Sequence, residues 1–104
     1  HPNAGRMLAK LAELHTANGN PSAAANAYRD AYHVCAEALR AEHPDRIDVV
    51  GRFGTFLLEH SDLVESELAN TVLYEYLEIV RRQDPEDTEL IAKIEAALSG
   101  QAHR

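Results

Sequence analysis

Tryptophan is absent from this chain, aromatic residues are few, and five glycines and four prolines are spread thinly over its 104 residues. Alanine and aliphatic residues fill their place, the bias of helices packed through small side chains, and no strand is expected. A single cysteine, Cys35, cannot close an internal disulfide, so the fold makes no demand for an oxidising compartment, and an intracellular, cytoplasmic location is expected. No apolar run approaches the roughly 20 residues that span a bilayer, and the amino terminus lacks the basic, apolar, small-residue order of a secretory signal. Bases are outnumbered, ten against 17 acids, for a net charge of -7. That balance argues against nonspecific binding to nucleic acid or an anionic membrane, where phosphates reward a positive face. The scattered glycines form no phosphate-cradling loop, so no nucleotide or other cofactor is expected. The chain starts with His1 in place of Met, and we read it as a piece of a longer protein.

What is present is a repeat. His1-Pro2 and His43-Pro44 stand 42 residues apart, and Asp84-Pro85 places a third proline 41 residues beyond Pro44. A proline suits the first turn of a helix, where its missing N–H costs nothing, and Asp45, Glu86 and Asp87 then favour the positive end of the helix dipole. Gly19-Asn20-Pro21-Ser22 reads as a helix stop, an N-cap and a new start. The corresponding break in the second repeat is Ser61-Asp62, with Asp62 and Glu65 spaced as a capping box. Five helices are expected, over 3–18, 21–41, 45–60, 62–83 and 86–99. Leu8, Leu11 and Leu14, and later Ile91, Ile94 and Leu98, recur at the three-to-four spacing of a buried helix face. Short connections make consecutive helices antiparallel neighbours. The expected architecture is one all-α domain, 1–104, of antiparallel helix-hairpin repeats: repeat one at 1–42, repeat two at 43–84, a capping helix at 85–99 and a disordered tail at 100–104.

In the first repeat Leu8, Leu11, Ala12, Gly19, Ala24, Tyr28 and Ala31 stand at the signature positions of a tetratricopeptide motif. The chain resembles the long version of that motif, with His-Pro between repeats, found in kinesin light chains and their relatives. The second repeat is a degenerate copy: Phe53-Gly54 keeps one signature, Ser61 replaces the turn glycine, and Ala69, Leu73 and Tyr76 offer one register for its second helix. Ile91-Ala92-Lys93-Ile94 mirrors Leu8-Ala9-Lys10-Leu11, while Glu95 replaces a small residue, as suits a terminal cap. A weaker resemblance joins His1-Pro2 through Leu14-His15 to the tetratricopeptide-like C-terminal domain of SET–MYND methyltransferases. It implies an accessory helical part, since no SET or zinc-binding sequence is present.

The resemblance implies a module that binds a partner protein or peptide and scaffolds a complex, without enzymatic activity. First helices of each pair would line a concave groove. Lys10, Arg52 and Lys93 then form one column, at places where kinesin-light-chain repeats carry asparagines. With Arg6, Glu13 and Thr55 they are the candidate partner-binding residues, and the column could pair with an acidic segment. The alternative is that these bases are solvated and offset by Glu13, Asp48 and Glu89. Another alternative is a fixed assembly or homodimer, formed through the open face of the N-terminal helix near His1.

Of six histidines, His1, His43 and His103 belong to turns or a terminus, and His15, His33 and His60 form no chelating spacing with one another or with Cys35, so no metal is expected. His15 is read as a packed histidine. His60-Ser61-Asp62 holds triad residue types without relay geometry, and Ser61 and Asp62 are read as caps. Cys35 is read as a packed apolar group and Tyr28 as core.

Overall fold

The computed structural model describes residues 4–102. His1, Pro2 and His103, and the start of the helix expected from residue 3, lie outside them. The described residues form five α-helices and no strand: α1 Ala4–Ala17, α2 Pro21–Ala38, α3 Pro44–His60, α4 Ser66–Gln83 and α5 Thr88–Ala102, with a 3₁₀ turn at Ser61–Leu63. They divide into two compact units, His1–Phe53 and Gly54–Arg104, the boundary falling inside α3.

The helix ends show why the chain breaks where it does. At the end of α1, Asn20 N–H donates to His15 O at 2.8 Å and Gly19 N–H to Thr16 O at 3.0 Å. This Schellman pairing needs a left-handed residue, which Gly19 supplies with φ 76°. Asn20 then caps α2, its side chain accepting from Ala23 N–H at 3.3 Å, with Pro21 as the first helical residue. Pro44 likewise opens α3, and the His43 ring nitrogen Nδ1 accepts from Asp45 N–H at 3.0 Å.

Three expected boundaries move. The capping box at Asp62 and Glu65 does not form: residues 61–63 make a tighter 3₁₀ turn, and α4 starts at Ser66 with Glu65 at its cap and no side-chain bond there. Pro85 sits in the turn before α5, whose start at Thr88 is held by Asp87 accepting from Leu90 N–H at 3.1 Å. α2 ends at Ala38 and not at 41, because Leu39 turns extended.

In the first unit α1 lies against α2 through its smallest residues. Gly5, Ala9 and Ala12 are buried, and a Cβ on Gly5 would stand 2.3 Å from the Cys35 sulfur. That contact sets the amino end of α1 beside the carboxyl end of α2, so the two helices are antiparallel. The expectation that Leu8, Leu11 and Leu14 form the buried face of α1 is overturned: Leu8 is half-buried, and Leu11 and Leu14 are 44% and 62% exposed. A leucine at the contact line would hold α2 away, whereas Gly and Ala allow the backbones to approach. Against this pair stands the first half of α3, its Phe53 fully buried, stacked on Tyr28 at 5.3 Å between ring centres and met edge-on by Tyr32 at 6.4 Å.

In the second unit Leu57, Leu73 and Ile94 form the heart of the core, with Leu98 also buried, as the Ile91, Ile94, Leu98 spacing implies. Gly54 marks the tightest approach there. A Cβ on it would fall 2.3 Å from the Tyr76 ring, which is buried and hydrogen-bonded through its hydroxyl to Thr55 Oγ1 at 3.2 Å. Gly54→Ala should therefore destabilise the chain by roughly 1–3 kcal/mol. Gly51→Ala, three residues earlier in the same helix and with nothing within 4 Å of the added carbon, should stabilise it by about 0.5–1 kcal/mol. Urea midpoints of the two variants check this pair, and equal shifts would refute it.

Candidate functional site

The candidate residues are brought together unevenly. Arg6 and Glu13, both on α1, and Arg52 on α3 belong to one charged chain in the first unit. Arg6 reaches Asp45 at 3.4 Å and Asp48 at 3.6 Å. Asp48 also takes the Nε of Arg52 at 3.0 Å, and the other end of that guanidinium is bound by Glu13. Five charges thus alternate in sign along the seam between α1 and α3: Asp45, Arg6, Asp48, Arg52, Glu13. Arg6 pairs with Asp45 and, seven residues further along both helices, Glu13 pairs with Arg52, so α1 and α3 run in the same direction at a constant offset of 39 residues.

Arg52 is accordingly a clamp between helices, with a side chain only 26% exposed. Lys93 pairs with Glu89 one turn earlier on α5 at 3.7 Å, an exposed contact of the kind that contributes little. Lys10 stands exposed on α1. The acids foreseen as offsetting the column, Glu13, Asp48 and Glu89, are thus the partners of two of its members. Thr55 bonds Tyr76 in the second unit. Asp45 was legible only as a helix-dipole residue, because the pairing of α1 with α3 depends on how the helices pack.

Tyr28 lies at the inner edge of this seam. Burial, with the nearby Glu13 carboxylate adding to it and Arg52 opposing it, raises its phenol from the usual 10.0 to about 12. The hydroxyl stays neutral through the physiological range, a core group and not an acid-base catalyst.

The histidine and cysteine positions show no reactive arrangement. Among the described residues no group of His, Cys, Asp or Glu gathers to hold a metal ion. Cys35 is buried beside Gly5. His60 packs its ring on Phe56 at 4.8 Å and His15 is half-buried at the end of α1. An open depression of about 560 Å³ lies at the α2–α3 connection, lined by Leu39, Arg40 and His43 among others. No helix among the described residues is long and apolar enough to cross a membrane.

Two surface features were not foreseen. Met7, 63% exposed, joins Leu11 and Leu14 in an apolar stripe on α1, and Tyr74 is 61% exposed on α4. One turn before Tyr74, the side-chain oxygen of Asn70 is buried without a hydrogen-bond partner. Comparison of the chain with protein-family models, with curated proteins and with solved structures returns no match.

Two outcomes follow from the seam. Asp48→Ala removes the acid shared by Arg6 and Arg52 and should cost about 1–2 kcal/mol in low salt. The loss should shrink in about 1 M salt, where the screening length falls to about 3 Å, and a salt-independent loss in paired denaturation curves would contradict the ionic origin. For Tyr28 the folded pKa lies above the unfolded one, so its contribution is full below about pH 10 and is lost as pH rises toward about 12. Two units correspond to a loss on the order of 3 kcal/mol. Tyr28→Phe should flatten the fall in stability over that interval, measured by denaturation at stepped alkaline pH.

Proposed function

We propose that the chain is a helical-repeat module of the tetratricopeptide type that holds a segment of a partner protein inside the cell and catalyses no reaction. The observation that carries this reading is the parallel course of α1 and α3 at constant offset, with the antiparallel partner α2 between them in sequence. That is the relation expected of the first helices of successive repeats, where each hairpin packs on its neighbour. The 42-residue spacing supports it in another way. Val49, Val50 and Phe53 stand 42 positions after Met7, Leu8 and Leu11 and are fully buried, Phe53 against Tyr28 and Val49 beside Gly5. The α1 positions have no hairpin before them and remain open.

A protein partner also suits the chemistry. The polar groups of the first unit are engaged with one another or solvated, and none forms a nucleophile, base and orienting group within reach of a common point. An acidic segment would meet Lys10 and Lys93, whose ammonium groups are exposed, and not Arg52, which its two carboxylates already hold.

The test is a panel of acidic and neutral peptides titrated against the 104-residue chain by fluorescence anisotropy. Acidic peptides should bind, and Lys10→Glu with Lys93→Glu should weaken them at least about tenfold at low salt. Circular dichroism confirms that the variant is folded. If no acidic peptide binds, or if binding is indifferent to both reversals, the basic column is not a recognition surface.

A further inference from the structure

We propose that the exposed stripe of α1 is a homotypic docking surface, on which two copies of this chain pair with their α1 helices antiparallel. Met7, Leu11 and Leu14 are 63%, 44% and 62% exposed and recur at intervals of four and three residues, which places them on one line along the helix. A contiguous apolar patch of a few hundred Å² is at the scale that marks an interaction site on a soluble protein.

The occupant follows from the symmetry and the charge of the stripe. Contact between two identical surfaces requires each to complement itself under a two-fold rotation. Met7 and Leu14 lie almost equally far from the midpoint of the stripe, with Leu11 close to it. An antiparallel copy therefore sets Met7 against Leu14 of the second copy and Leu11 against Leu11, with no apolar side chain left over. Lys10 and Glu13 share one flank, so the same rotation brings Lys10 of each copy toward Glu13 of the other, opposite charges at the rim of an apolar centre.

Net charge selects the same face. Residues 1–53 carry six acidic and six basic residues, whereas residues 54–104 carry eleven acidic and four basic ones. The whole surplus of -7 falls in the second unit, whose like charges oppose self-association, while the unit that bears the stripe is neutral and imposes no such repulsion. Val34 on α2, 38% exposed, and the half-buried Leu8 add apolar area in the same unit. Tyr74, the comparable exposed side chain of the second unit, stands on a helix with Glu67 and Glu78 spaced about one turn before and one turn after it.

This inference is independent of the peptide-binding reading, and different measurements decide the two. Sedimentation equilibrium of the 104-residue chain over a wide concentration range should show a reversible dimer. Leu11→Asp should raise its dissociation constant at least about tenfold, and Tyr74→Asp should leave it unchanged. Because Leu11 is exposed, the variant should keep its helical circular dichroism. As a second readout, Leu11→Cys should give a disulfide-linked dimer in a glutathione buffer and Tyr74→Cys should not. A chain monomeric at every concentration, a dimer that survives Leu11→Asp, or equal cross-linking of the two cysteine variants would overturn the proposal. So would a stripe that binds a different protein while the chain alone stays monomeric.

Discussion

The first unit depends on how closely α1 can lie against α2. Gly5, Ala9 and Ala12 present almost no side chain to the contact, and at Gly5 the sulfur of Cys35 occupies the space a methyl group would need. With the two helices held at that separation, Tyr28 and Tyr32 project from α2 to receive Phe53, and α3 comes to rest where its Asp45, Asp48 and Arg52 meet Arg6 and Glu13. A larger residue at position 5 would shift every one of these contacts, because a close-packed interior transmits displacement and does not absorb it.

The same economy decides which residues are left for function. By burying its small face, α1 turns its large apolar residues outward, the reverse of the usual amphipathic arrangement. A basic residue can hold its own fold together or meet a ligand's carboxylate, and Arg52 is spent on the first role. Its two carboxylate partners satisfy most of the guanidinium's donors. Lys10, one turn along α1 from Arg6, has the same charge and a different fate because it lies on the outward side of the helix.

Much of the fold was legible from local chemistry. The Gly19-Asn20-Pro21 break, the opening of α3 at Pro44 and the core at Ile94 and Leu98 each rest on a stereochemical demand that a few adjacent residues can express. The errors arose where local signals competed. Asp62 and Glu65 have capping-box spacing, yet the chain takes a 3₁₀ turn there and begins α4 later. Asp84-Pro85 looks like a helix start, but the side chain of Asp87 supplies the bond that opens α5. Leucines at helical spacing on α1 suggested a core face. Periodicity identifies an apolar line but carries no information on which side of the helix a neighbour occupies.

By itself, then, the sequence determined that this protein is helical, where four of its five helices begin to within about a residue, and that its charge is strongly acidic, because capping, proline geometry and composition act over a few bonds or over the chain as a whole. The tertiary structure alone decided that the alanine-and-glycine side of α1 is the buried one, that Arg52 is a clamp, and that Met7, Leu11 and Leu14 face outward. Those outcomes turn on the distance between helix axes, a quantity set by side chains far apart in sequence meeting at one contact.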